Sequence, residues 1–333
     1  MATTNGREVV VVTGASAGVG RATAQAFARR GARVGLLARG RSGLEGAKTE
    51  VESAGGDALA IPTDVSDAEA VEAAASMVED QLGPIDVWVN NAMVSVFSPA
   101  KEMAPEEYKR VTEVSYLGTI YGTLAALQRM LPRNKGHIVQ VGSALAYRAI
   151  PLQSAYCGSK HAIQGFTESL RSELIHDRSD VRLTMVQLPA VNTPQFGWVK
   201  SRLPNNPQPV PPIFQPEVPA EAIYWAAHHD RNELWLGWPA VKAVVGNKVI
   251  PRGLDYYLAW TGFDSQQTKE PVSPDRKDNL FEPVDDAEDR GAHGTFDERS
   301  QRKSYQWLAS THRGWLAAGA VGLTAAAYAA IKR

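Results

Sequence analysis

The stretch that most constrains this chain begins at Glu8. Four valines and a threonine (Val9–Thr13) run into Gly14-Ala-Ser-Ala-Gly18-Val-Gly20, and an alanine-rich segment follows to about Arg30. The β-branched density reads as a buried strand and the alanine-rich segment as a helix. A glycine-rich turn between them lets the backbone approach a phosphate closely, and the helix N-terminus supplies free N–H groups to bind it. The spacing is T-G-x-x-x-G-x-G rather than the more common G-x-G-x-x-G.

The alternation continues along the chain. Strands are expected at Ala32–Ala38, Asp57–Pro62, Ile85–Val89, His137–Val141, Val181–Leu188 and Glu233–Gly237. Helices are expected between them at about 42–54, to about Leu82, 106–130, through Tyr156 to about His176, and 217–229. Seven strands alternating with helices imply a parallel sheet covered on both faces. The residue after the second strand is Arg39, with no acid until Glu45. In such folds an acid there bonds the ribose 2′-hydroxyl of NAD, whereas an arginine suits the extra phosphate of NADP, so NADP is expected rather than NAD. Asp64-Val65 follows the third strand, and Asp64 is placed either to reach an adenine edge or to cap the next helix. Asn90-Asn91-Ala92 ends the fourth strand, where the asparagines either bind a cofactor or tie adjacent loops.

The chemistry is concentrated between Ser143 and Lys160. Tyr156 and Lys160 are four residues apart and share one helix face. Ser143 falls at the carboxyl end of a strand, where open α/β sheets bind ligands. A phenol exchanges protons poorly near neutral pH, because its pKa is about 10. A nearby ammonium favours the phenolate, and a phenol tuned in this way can serve a carbonyl or alcohol in proton transfer. The serine hydroxyl can hold the same substrate oxygen.

Taken in order, these motifs resemble the short-chain dehydrogenase/reductase family over about residues 7–240. The matching features are Thr13, Gly14, Ser16, Gly18, Val19 and Gly20 in the cofactor turn, Asp64 with Val65, the N-N-A segment with Asn90 and Ala92, then Ser143, Tyr156 and Lys160, and finally Pro189 with Thr193. The resemblance implies a Rossmann-type doubly wound parallel sheet and hydride transfer between NADP(H) and a carbonyl or alcohol. It implies that Tyr156 is the general acid or base, that Lys160 lowers its pKa and bonds the nicotinamide ribose, and that Ser143 orients the substrate. It also implies a homo-oligomer. Three positions depart from the family pattern. Ser115 stands where the family has a catalytic asparagine that helps to hold a proton-relay water. Met93 and Ala190 replace glycines and add bulk near the site. A non-catalytic protein that senses NADP, or a scaffold on the same fold, is the alternative.

The net charge of −1 gives no support to nucleic-acid binding. The single cysteine, Cys157, rules out an intramolecular disulfide and fits a reducing, cytoplasmic setting. No apolar leader precedes the first strand, so a secretory signal is not expected. No metal-ligand set is evident. The proline-rich stretch at 191–218 has the character of a lid or substrate pocket. Phe196, Trp198 and Phe214 either line an apolar site there or pack the loop onto the core. The substrate is expected to be an apolar small molecule.

Beyond residue 240 the family pattern ends. A kinked helix is expected over 240–257, and residues 241–304 as a whole read as an extension with a polar linker or surface arm. Gly314–Ile331 carries no charge and is flanked by basic residues. As a helix it would span ~27 Å at ~1.5 Å per residue, against a hydrocarbon core of ~30 Å. It fits either a membrane anchor or a packed helix.

Overall fold

The structure is a computed structural model and describes residues 6–311. The apolar run Gly314–Ile331, with the membrane anchor expected there, lies outside the described residues. Among the described residues no helix is long and apolar enough to cross a membrane.

Seven strands form one sheet: β1 (Val9–Thr13), β2 (Arg33–Ala38), β3 (Asp57–Pro62), β4 (Val87–Asn90), β5 (His137–Ser143), β6 (Arg182–Leu188) and β7 (Glu233–Trp235). Their spatial order is β7-β6-β5-β4-β1-β2-β3, and every pairing is parallel. The order reverses between β1 and β4. This switch point opens a crevice at the carboxyl ends of the strands.

Alternate residues of β1 serve opposite faces, as a strand's twofold period requires. Val9 and Val11 join the apolar layer beneath α3 (Ala68–Leu82), α5 (Gly118–Met130) and α6 (Ser154–His176). Val10 and Val12 join the layer beneath α1 (Gly18–Ala28), α2 (Arg41–Ser53) and α7 (Glu217–Ala227). The chain is thus the doubly wound Rossmann-type fold that its alternation implied.

The long helix expected over 106–130 is interrupted. It runs as α4 (Pro105–Thr112), a π-helical turn at Glu113–Leu117 and then α5. Ser115 sits inside that turn with its side chain fully enclosed. Its hydroxyl donates to the Val94 carbonyl at 3.0 Å and accepts from the Val94 amide at 3.2 Å.

After β7 the chain forms α8 (Gly237–Val249) and α9 (Pro251–Thr261), divided where Pro251 cannot continue the first helix. Residues 264–304 then run as an arm back across the carboxyl end of the sheet. Short pairings hold it at two places, Gln267–Pro271 against Asn205–Pro207 and Ser300–Gln301 against Ile213–Phe214. Gln266 is buried and donates to the Pro151 carbonyl at 2.9 Å. Leu280 is 0 % exposed, and Phe296 meets the Phe196 ring edge-on at 6.0 Å. The final described helix, α10 (Tyr305–Thr311), packs on α8.

Candidate active site

The glycine turn follows β1 directly, and its shape depends on the absence of side chains. Gly14 has φ +65°, and a Cβ there would lie 2.8 Å from the Ala92 Cα. A Cβ on Gly20 would lie 2.2 Å from the Gly14 carbonyl oxygen. Thr13 ties this turn to the end of β4: its hydroxyl accepts from the amides of Asn91 at 2.9 Å and Ala92 at 3.0 Å. Asn91 returns the tie by donating to the Thr13 carbonyl at 2.9 Å. Thr13 and Gly20 therefore shape the site from behind.

A cavity of about 680 Å³ runs from this turn along the ends of the strands. Ser16, Gly18, Val19, Arg39, Asp64 and Val65 line one end with Thr193, which packs against Gly18; Ala92 lies along it, and Ser143, Tyr156 and Lys160 line the other with Pro189. Met93 and Ala190, the two bulkier departures, also face it. The volume is that of a ligand pocket. The glycine turn at one end, which Ala92 packs against closely because Gly14 has no side chain, and the polar groups along the cavity fit an extended dinucleotide.

Asn90, expected at the cofactor, does not line the cavity. Its amide donates to Thr123 Oγ1 and Gln140 Oε1, each at 3.0 Å, and its oxygen accepts from the Trp88 indole at 2.8 Å. These bonds complete a buried polar knot, and its neighbour Asn91 lines the cavity instead. Ser115 does not line the cavity either, since its hydroxyl is committed to Val94. Asp64 caps no helix; Asp67 caps α3 by accepting from Glu69 and Ala70. Asp64 pairs with Arg110 at 2.5 Å and accepts from Ser66, which holds its carboxyl below the usual range against the opposing effect of burial. Phe196 and Trp198 line the cavity, whereas Phe214 is buried in the core layer under the sheet.

At the other end, Lys160 is 3 % exposed and donates from Nζ to the Val141 carbonyl at 2.7 Å. Burial lowers its pKa to about 8. Its ammonium lies 5.6 Å from the centroid of the Tyr156 ring. The expected depression of the phenol is not found. Burial drives the Tyr156 pKa above its ordinary value, and the Ser143 hydroxyl opposes this by hydrogen bonding. The reason is geometric: Lys160 points its charge at the β5 backbone, so loss of solvent dominates at the phenol. Ser143 Oγ also accepts from the Leu145 amide at 3.1 Å, which fixes its position at the end of β5. Cys157 is buried, and its thiol is pushed up by burial.

The sequence reading missed the arm as a wall of this cavity. Asn279, Pro283 and Asp285 all line it. Arg39 donates to the carbonyls of Phe281, at 2.7 Å, and Asn279. Arg110 donates to the Leu280 carbonyl at 3.1 Å.

A sequence profile described as short chain dehydrogenase matches residues 8–202. The chain is 32 % identical over 328 residues to the uncharacterized oxidoreductase YxnA of Bacillus subtilis (strain 168), covering 98 % of this chain and 91 % of that protein. The chain belongs to the short-chain dehydrogenase/reductase family. Among solved members, an alcohol dehydrogenase from the archaeon Thermococcus sibiricus, complexed with 5-hydroxy-NADP, is 31 % identical with a TM-score of 0.60, over 69 % of this chain and 96 % of that one. A short-chain dehydrogenase from Streptomyces avermitilis is 26 % identical with a TM-score of 0.65, over 78 % and 98 %. This short-chain dehydrogenase is therefore of an oxidoreductase family. The match to the Bacillus protein extends through the arm, whereas the family profile stops before it.

Proposed function

We propose that this enzyme interconverts a carbonyl and an alcohol on an apolar small molecule, using NADP(H). The observation that carries the reading is the convergence of Ser143, Tyr156 and Lys160 at one end of a cavity whose other end is the glycine turn and Arg39. The alcohol dehydrogenase solved with 5-hydroxy-NADP supports the choice of cofactor. Bound NADP(H) supplies or accepts the hydride.

The residues divide the remaining work. Gly14, Gly18 and Val19 cradle the pyrophosphate and Arg39 takes the 2′-phosphate end. Ser143 holds the substrate oxygen. Tyr156, kept protonated by burial, gives its proton to that oxygen as negative charge develops on it. Lys160 supplies a positive charge behind the phenol, which favours the phenolate left after proton transfer. Pro211, Trp238, Leu254 and Leu258 extend the cavity beyond Tyr156 and give it an apolar substrate end.

Membrane contact belongs to the same proposal. α10, which leads towards residues 314–331, packs on α8, and the α8–α9 face exposes Trp238, Ile250, Tyr256 and Trp260. Such a face suits an interface with lipid.

The test is oxidation of NADPH and NADH by the full chain with a panel of ketones, aldehydes and quinones, alongside Tyr156→Phe. Turnover should fall about a thousandfold in the variant with cofactor affinity unchanged. Equal turnover in both proteins would remove Tyr156 from the chemistry.

A further inference from the structure

Helix α2 carries glycines at 40, 43 and 46, counting its N-cap, and a spacing of three places them along one side. That side is the bed of the arm. A Cβ on Gly40 would lie 2.0 Å from Asp285 Oδ1. One on Gly43 would lie 2.6 Å from Asp285 Oδ2 and 2.9 Å from the Ser16 Cβ, and one on Gly46 would lie 2.1 Å from Asp289 Oδ2. Asp289 is also paired with Arg21, whose side chain is almost wholly buried and shared with Glu50.

The backbone of α2 is engaged as well. The Gly43 amide donates to the Asp285 carbonyl at 3.0 Å, the Arg41 amide to the Asp286 carboxylate at 3.1 Å, and the Ser42 amide to the Asp286 carbonyl at 3.3 Å. The free N–H groups that begin a helix attract anions. Here the arm takes them, with one carboxylate (Asp286) and two backbone carbonyls. Asp285 is 7 % exposed, lines the cofactor cavity beside Ser16 and Arg39, and interacts electrostatically with Arg39.

We propose that Asp285 sets this enzyme's discrimination between NADP(H) and NAD(H), by holding a carboxylate where the adenosine 2′-phosphate must meet Arg39 and the start of α2. The inference rests on the cofactor reading above and deepens it. In dinucleotide-binding folds an acid at the end of β2 bonds the ribose 2′-hydroxyl and opposes a 2′-phosphate. This chain has Ala38-Arg39 there, and the acid arrives from the arm. Two negative charges in a poorly solvated pocket oppose each other strongly. A neutral 2′-hydroxyl carries no such penalty and can donate to the carboxylate. Arg39 attracts the phosphate and Asp285 resists it, so the selectivity is set by their balance.

The experiment measures equilibrium binding without substrate, on the full chain and on Asp285→Asn. NADPH and NADH are titrated by fluorescence, and 2′,5′-ADP and 5′-AMP by calorimetry. The variant should bind NADPH and 2′,5′-ADP at least about tenfold more tightly, with NADH and 5′-AMP unchanged or weaker. Parallel shifts for phosphorylated and unphosphorylated ligands, or no shift in either, would overturn the proposal. Binding of NADPH by the variant alone would support it, and binding by neither protein would overturn it. Failure of the oxidoreductase reading is distinguishable, because it shows as turnover indifferent to Tyr156→Phe whatever the affinities.

A second measurement needs no variant. Hydrogen exchange across residues 283–289 of the unmodified protein should speed up with 2′,5′-ADP, as the phosphate displaces Asp285, and not with 5′-AMP. An equal response to both would count against the proposal.

Discussion

The two ends of the cofactor cavity are built in different ways. At the end that holds Tyr156, that residue and Lys160 come from one helix and Ser143 from the strand beside it, so residues close in sequence meet through regular secondary structure. At the end that holds the glycine turn, Ser16, Arg39 and Asp64 come from three successive loops, and Asn279, Pro283 and Asp285 come from an arm near the other end of the chain. The first end depends on strand and helix geometry that the sheet enforces. The second depends on a long irregular segment settling onto a bare helix face. The contrast teaches that one end of a cavity can be anchored in the frame of a fold while the other is completed by a later, irregular segment.

The contrast sharpens most at Lys160, whose burial belongs to the frame. Its folded pKa is lowered to about 8 from 10.5. Between these values the unfolded chain binds the proton and the folded chain does not, so stability rises with pH through that window. Without cofactor, the urea stability of the unmodified protein relative to Lys160→Met should increase by about 2 kcal/mol between pH 8 and 9.5. A flat difference would mean that the ammonium is better solvated than its enclosure indicates.

Gly40→Ala probes the arm. The added carbon would lie 2.3 Å from the Asp285 Cγ and 2.8 Å from its backbone carbonyl carbon, so the arm must shift. The expected cost is about 1–3 kcal/mol, with faster proteolysis within residues 264–297 and no change in Tyr156-dependent turnover at saturating cofactor. Gly165→Ala in α6 meets nothing within 4 Å and should instead stabilise by up to about 1 kcal/mol. Equal effects at the two positions would break the distinction between frame and arm.

The smallest effect is expected at Ser115. Alanine there loses both bonds to Val94 and should cost about 1 kcal/mol, while turnover stays within about threefold and its pH profile is unmoved. A displaced pH profile would restore Ser115 to the proton path.

Much of this protein was legible because its signals are local. The valine run of β1, the glycine turn and the i to i+4 spacing of Tyr156 and Lys160 are decided by steric and periodic rules acting over a few residues. The parallel sheet followed from the alternation of strands and helices, and the family resemblance followed from the order of the motifs. Where one signal served two structural ends, sequence alone misjudged which. Asn90 and Asn91 are the same residue type at one strand end, yet only Asn91 faces the cavity, because Asn90 points into the buried knot with Thr123 and Gln140. Asp64 and Asp67 compete for one helix start, and geometry gave the cap to Asp67.

The glycines at 40, 43 and 46 were visible as a pattern, but a bare helix face does not say what will lie on it. Aspartates in a polar, proline-containing stretch look like solvated charges until a helix N-terminus and a buried arginine receive them. The sequence by itself determined the frame, the glycine turn and the grouping of Ser143, Tyr156 and Lys160, because backbone sterics and side-chain period act at short range. Only the tertiary structure decided that Lys160 aims at a backbone carbonyl, that burial raises the Tyr156 pKa, and that Asp285 stands beside Arg39. Desolvation and charge proximity depend on which distant segments finally touch.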